Sequence, residues 1–212
     1  MPAGPRYGRQ VFLNCPFDAA YQPLFDALVF TIFSCGFQPR CALEESNGGR
    51  VRYEKIISII NTCHLSIHDI SRTEMDRESR LPRFNMPFEL GLFLGAQRFG
   101  KGRHRDKICL ILDRDRYRYQ KFISDIAGQD IDSHFNDPAK AVAAVRKWLA
   151  PLGTQPKLIA GGRKIYGHYQ EFRIQLPFLL KAMHLDEDEV SYADYTNVVS
   201  NWLKANPVIA AV

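Results

Sequence analysis

The stretch 83–91 (RFNMPFELG) carries a single carboxylate, Glu89, in an otherwise apolar run. Pro82 and Pro87 bracket a predicted helix start, because proline is tolerated in a first turn, where its missing N–H is no loss. Asn85 fits the N-cap. Leu92, Phe93, Leu94, Ala96 and Phe99 carry the helix to Gly100, a C-terminal stop. Glu89 then falls in the first turn, where free N–H groups and the helix dipole favour the charged carboxylate. Two roles fit such a group: it complements the dipole, or it stabilises or attacks an electron-poor carbon. Its surroundings decide between them.

The helix that positions Glu89 belongs to an alternation running through the first half of the chain. Residues 10–15 (QVFLNC) are a short apolar run closed by Pro16, which predicts a buried strand. Asp18 fits the cap of a helix in which Tyr21, Leu24, Phe25, Leu28, Ile32 and Phe33 recur at helical spacing up to Gly36. Residues 38–43 predict a second strand and 44–50 a loop. Residues 51–62 predict a helix with Ile56, Ile57, Ile59 and Ile60 inward, and 63–70 a third strand. A charged loop, 71–82, leads to the Glu89 helix, and 107–113 (KICLILD) is a fourth strand. Strands alternating with helices predict a parallel sheet with helices on both faces, in flavodoxin-like order. Further on, 117–126 predicts a helix ended by Gly128, 131–135 an edge strand and 138–149 a helix. Residues 1–150 thus form an α/β domain and 151–212 a helical appendage. The appendage comprises a linker, a helix over 164–184 interrupted at Pro177, an acidic turn at 186–189 and a last helix over 192–205 capped by Ser191.

In such sheets ligands bind beyond the carboxyl ends of the strands. That rim gathers Asn14, Cys15, Pro16, Phe17 and Asp18 after the first strand, Asp69 and Arg72 after the third, and Arg83, Phe84 and Asn85 before the helix. Glu89 joins them, since side chains in a first turn lean back toward the rim. Asp69 points away from His68 and reaches the rim if its strand ends there. The arginines suit phosphates, and Phe17 or Phe84 suits a base. A carboxylate can stabilise or attack an oxocarbenium-like ribose C1′. Loop capping and surface charge account for the same residues without any ligand. His64 and His68 share a strand face by their spacing but lack a third and fourth ligand, so no metal is expected. The sequence holds no dinucleotide fingerprint, P-loop, zincin motif or nucleophile elbow.

Composition narrows the class. A chain of 212 residues with 46% hydrophobic and 24% charged residues has the balance of one globular domain plus an extension. No apolar run is long enough to span a bilayer and no apolar signal segment opens the sequence, so a cytoplasmic protein without membrane contact is expected. Five cysteines without C-x-x-C spacing are expected to be reduced and buried. For Cys15, at a strand end, a nucleophilic role stays open beside burial. The net charge of +5 suits an anionic ligand. The basic residues are scattered and interleaved with Asp, without a nucleic-acid motif, so nucleic acid is not an expected partner.

Four segments in order, VFLNCPFD at 11–18, a helix closing in Cys35-Gly36-Phe37, IISIINTCHLSIHDIS at 56–71 and FELG at 88–91, resemble two related groups. These are the Toll/interleukin-1 receptor (TIR) domain and the nucleoside 2-deoxyribosyltransferases. The resemblance spans residues 10–112 and implies a flavodoxin-like sheet. In the enzymatic members of both groups a glutamate acts at a ribosyl C1′, and enzymatic TIR domains cleave NAD at the nicotinamide bond. On this resemblance Glu89 matches the catalytic glutamate of both groups, and Asp69 is similar in place to the transferase aspartate after the third strand. Met86-Pro87 stands where the transferases carry Gly-Thr, and the TIR serine and Trp-Cys before the glutamate are absent. What the resemblance implies is an N-glycosidase of NAD or a related nucleotide, in a setting such as bacterial antiphage defence. NAD would be its substrate, with no cofactor. Glu89 would stabilise or attack the ribosyl cation, and Asn14, Arg83 and Asn85 would hold phosphate or ribose. A nucleotide sensor without turnover and a self-associating TIR-like module are the alternatives. The apolar residues of the appendage, among them Leu158, Ile165, Tyr169, Phe172, Ile174 and Phe178, must bury against the α/β domain or another chain. A homo-oligomer or partner protein is therefore expected through the C-terminal helices. The loop 71–82, rich in charge and almost without apolar anchors, is expected to order only when a nucleotide binds.

Overall fold

The computed structural model describes residues 7–44, 48–75, 80–153 and 159–207. Five strands, β1 (Gln10–Asn14), β2 (Gln38–Arg40), β3 (Leu65–Asp69), β4 (Ile108–Asp113) and β5 (Ile131–Ser133), form one sheet in the order β2-β1-β3-β4-β5. Every pair is parallel, and the order is the flavodoxin-like one. Helices α1 (Gln22–Ser34), α2 (Arg52–Thr62), α3 (Asn85–Phe99) and α4 (Pro138–Leu149) pack on the sheet, and α5 (Gly162–Ala182) and α6 (Tyr192–Ala205) follow. The two-residue alternation of the strands sorts their side chains between two helical layers. Val11, Leu13, Leu65, Ile67, Leu110 and Leu112 join the core under α1 and α4. Phe12 packs with Ile56, Ile59, Ile60 and Phe93, and Ile111 with Met86 and Leu90, under α2 and α3.

Local chemistry ends the elements. Gly36, at φ +82°, closes α1 in a conformation that suits glycine. Gly100 closes α3, and a Cβ there would lie 2.2 Å from the Ala96 carbonyl oxygen. Asp137 caps α4 by accepting from the Ala139 amide at 2.8 Å, with Pro138 in the first turn. Ser191 and Asp194 make a reciprocal capping box at the start of α6.

Some expected boundaries are corrected. Phe84, not Asn85, is the N-cap of α3, and no side chain caps it; Glu89 therefore lies in the second turn. Asp18 caps the turn before α1 rather than the helix itself, its Oδ1 accepting from the Tyr21 amide at 3.1 Å. β2 stops at Arg40, where the chain turns and Arg40 pairs with Glu44. Residues 117–126 form two 3-10 turns, Arg118–Lys121 and Ser124–Ile126, instead of a helix. Tyr117 is left-handed there, and the Arg118 guanidinium is drawn off to Asp113, the Thr73 hydroxyl and the Ile70 carbonyl. Pro177 does not interrupt α5, which continues to Ala182.

The helices of the appendage form a third layer on the α1 and α4 side. Ile165, Tyr169, Phe172, Val198, Val199 and Trp202 share one buried cluster with residues of α1 and α4. Phe30 of α1 is enclosed by the rings of His168, Tyr169, Phe172 and Trp202, with the nearest centroids at 5.4 Å. Ile174 and Phe178 stay exposed, and Leu158 lies outside the described residues. Among the described residues no helix is long and apolar enough to cross a membrane.

Candidate functional site

The carboxyl ends of β1 and β3 and the first turns of α2 and α3 surround a cleft of about 390 Å³. The fold brings Cys15, Pro16, Phe17, Asp18, Arg72, Arg83 and Asn85 together there and adds Arg52 and Met86. Arg72 and Asp18 approach to 4.0 Å with both side chains 32% exposed. Such a half-exposed pair holds weakly, so an incoming anion can take the guanidinium over. Arg52 is not singled out by any motif. Its signal is a cation in the first turn of α2, where the dipole opposes it, so helix stability does not explain it.

Glu89 stands one turn beyond Asn85 on α3 and is 6% exposed. Burial lifts its carboxyl from 4.5 to about 7, with the Arg52 guanidinium pulling the other way. This corrects the expectation of a carboxylate kept ionised by the dipole. In the second turn that field has faded, and desolvation wins. Arg52 and Cys15, which both line the cleft, lie within electrostatic reach of Glu89.

Asp69 ends β3, yet it is fully buried on the α1 side instead of open at the rim. The Tyr21 hydroxyl donates to its Oδ2 at 2.5 Å, His134 Nε2 stands 3.1 Å from the same oxygen, and the Ser71 amide donates to Oδ1 at 2.9 Å. The Asn136 amide donates to His134 Nδ1 at 3.0 Å, which leaves the imidazole proton on Nε2, facing Asp69. Burial pushes Asp69 up, but the nearby His134 imidazole and the hydrogen bonds from Ser71 and Tyr21 outweigh it and hold the carboxyl below its ordinary value. Asp69 is thus an anchor joining the start of α1, the loop after β3 and the end of β5. Asp69 is held by residues of the α1 side, whereas Glu89 is carried by α3 on the other side of the sheet. His134 and Tyr21 carry no sequence signal for this role, because their meeting with Asp69 is wholly tertiary.

Asn14 also lies beneath the rim. Its amide nitrogen is 2.9 Å from His68 Nδ1 and donates to the Met86 carbonyl at 3.1 Å, tying β1 to β3 and α3. His68 is packed against Phe12 and Phe93, and burial pushes its imidazole down to about 3. His64 precedes β3 and bonds the Asp106 carbonyl at 2.6 Å, so the two histidines do not share a site. The described residues contain no group of three metal-capable side chains. Cys15 is buried, and burial raises its thiol well above its ordinary value, which favours the protonated form. Phe84 is exposed and outside the cleft lining.

The loop after β3 is better anchored than its composition suggests. Ser71 is fixed to Asp69, the Thr73 hydroxyl accepts from Arg118 at 3.1 Å, Glu74 pairs with Arg114 at 2.6 Å, and Met75 bridges to Pro82. The rest of the expected lid, 76–79, lies outside the described residues. Compared with family models, with curated proteins and with solved structures, the chain matches none.

Proposed function

We propose that the cleft binds a nucleotide and that Glu89 acts at the ribosyl C1′, making the protein an N-glycosidase of NAD or a related nucleotide. The observation that carries this reading is a buried carboxyl, lifted to about 7, beside a cleft lined by three arginines. Arg52, Arg72 and Arg83 offer the planar donors that a pyrophosphate takes, and Phe17 offers an apolar wall. Breaking the C1′–N bond sends the bonding pair to the nitrogen and develops positive charge at C1′. In NAD that nitrogen is already cationic, so nicotinamide leaves neutral and needs no acid. With a value of about 7, Glu89 is ionised in a large fraction of the molecules at neutral pH, and in that form it stabilises the cation that develops at C1′ more than the ground state; the proton it later takes from the attacking water passes to solvent. Water then adds at C1′ and yields its proton to Glu89.

Incubation with NAD, followed by chromatography for free nicotinamide, tests this. Release by the wild type and a loss of roughly 10²-fold or more in Glu89→Gln are expected, in line with the removal of one charge-stabilising group. A second reading, nucleotide sensing without turnover, is favoured by the sequestered Asp69, which takes the second carboxylate of the transferase pattern out of the cleft. It predicts binding of NAD or ADP-ribose with no nicotinamide released.

A further inference from the structure

A second cavity, of about 520 Å³, lies where α5 and α6 meet α1. Its walls carry charges of both signs. Asp26 of α1 is partly buried; its Oδ1 accepts from Gln22 at 2.8 Å, and burial lifts the carboxyl to about 6. Arg173 of α5 lies near enough to pull that value down, yet no ion pair joins the two. The Arg173 guanidinium instead sits over the Tyr169 ring, 6.0 Å from its centroid. Pro177 is also in the wall and has no N–H, so the carbonyl of Arg173, one turn back, loses its helical donor. Phe25 and Tyr195 supply an apolar floor. The cavity therefore offers a partly desolvated carboxylate for an ammonium, and a guanidinium with no carboxylate partner among the described residues for a carboxylate. The partly buried carboxylate costs free energy to hold without a counter-charge, the exposed guanidinium has no carboxylate on it, and a ligand carrying both signs engages the two at once.

We propose that this seam cavity binds a small zwitterion, an α-amino acid with an apolar side chain, with its ammonium on Asp26 and its carboxylate on Arg173. The volume is in the range of sites for small ligands. The site is independent of the nucleotide reading but adjoins it: the Phe25 ring packs edge-on against Phe17, a wall of the cleft, at 5.6 Å between centroids.

Calorimetric titration of the full chain with L-leucine and L-phenylalanine tests the proposal, alongside leucinamide, which keeps only the ammonium, and 4-methylpentanoate, which keeps only the carboxylate. Both amino acids are expected to bind, and each half-ligand roughly tenfold or more weaker, one such step being 1.4 kcal/mol. Arg173→Gln should bring leucine down to the affinity of leucinamide while leaving leucinamide unchanged. Asp26→Asn should bring leucine down to the affinity of 4-methylpentanoate. Arg173 is exposed, so its variant decides even where Asp26→Asn fails to fold. No binding of either amino acid at millimolar concentration, equal binding of all four compounds, or unchanged leucine affinity in Arg173→Gln would each overturn it.

Discussion

Glu89 holds its proton to near neutral pH, and that has a consequence for stability. Its folded value, about 7, lies above the ordinary 4.5, so the folded state binds the proton more tightly than the unfolded chain does. The associated stability is fully present below the unfolded value and is lost as pH rises through the folded one, on the order of 3 kcal/mol in all. Melting temperature should therefore fall between about pH 5 and pH 8, and Glu89→Gln should flatten that slope and melt higher than wild type at the upper end. Parallel melting curves for the two proteins across this range would remove the burial account of Glu89. The Asp69 anchor makes a second prediction. Tyr21→Phe deletes one donor to a buried carboxylate and should cost about 2 kcal/mol by chemical denaturation. Tyr21 and Ser71 adjoin the two loops that wall the cleft. Amide exchange at Cys15, Phe17 and Asp18 should therefore quicken, and ADP-ribose should bind more weakly. Loss of stability with unchanged exchange there would make the network a core staple and nothing more. That α3 carries Glu89 was legible in the sequence, because one carboxylate in an apolar helix stands out, but its turn was not, since that depends on where α3 begins. Its protonation was not, since that depends on how deeply α3 packs.

At the scale of the element, legibility follows how local the deciding chemistry is. The α4 start could be read from Asp137 and Pro138, and the α6 start from Ser191 and Asp194, because each cap bonds within its own turn. The stretch 117–126 could not be, because Arg118 answers to Asp113, Thr73 and Ile70, residues of other segments. α5 runs through Pro177, where the sequence predicts a break, for a related reason. Proline disfavours a helix interior, but buried contacts on both sides of Pro177, from Phe172 to Leu180, hold the turns together. The α6 cap matters beyond its own turn. It launches the helix whose Tyr192 hydroxyl donates to the Pro39 carbonyl at 3.0 Å and whose Trp202 indole donates to Gln175 at 2.9 Å. Ser191→Ala should cost about 1 kcal/mol. Its exchange signature should be fraying confined to the first turn of α6, and faster exchange through α5 as well would show that the cap holds the whole third layer.

For the whole molecule, the helix that decides the architecture is α1. In a flavodoxin-like unit with one helical layer on each face of the sheet it would bury one stripe and leave the other wet. Instead Leu24, Phe25, Ala27, Leu28, Val29, Phe30, Thr31 and Ile32 are all buried. A helix apolar all round is an interior helix, and that pattern in the sequence already calls for a cover on its outer side. α5 and α6 are that cover, with Phe30 as the plug between the layers. What the sequence left open was whether the cover comes from the same chain or another, because apolar periodicity does not name its partner. Two experiments of different severity probe this layer. Phe30→Ala in the full chain removes a fully buried ring and should cost about 3–5 kcal/mol in denaturant unfolding, with the slope unchanged. Ending the chain after Leu149 strips the whole layer and lays bare the outer face of α1 beside Val142 and Val145 of α4. Exposed apolar area on that scale drives association, so the shortened chain should aggregate or bind a hydrophobic dye strongly. A shortened chain that stays monomeric and unfolds at the full chain's denaturant midpoint would mean that the sheet and its four helices hold together without the third layer.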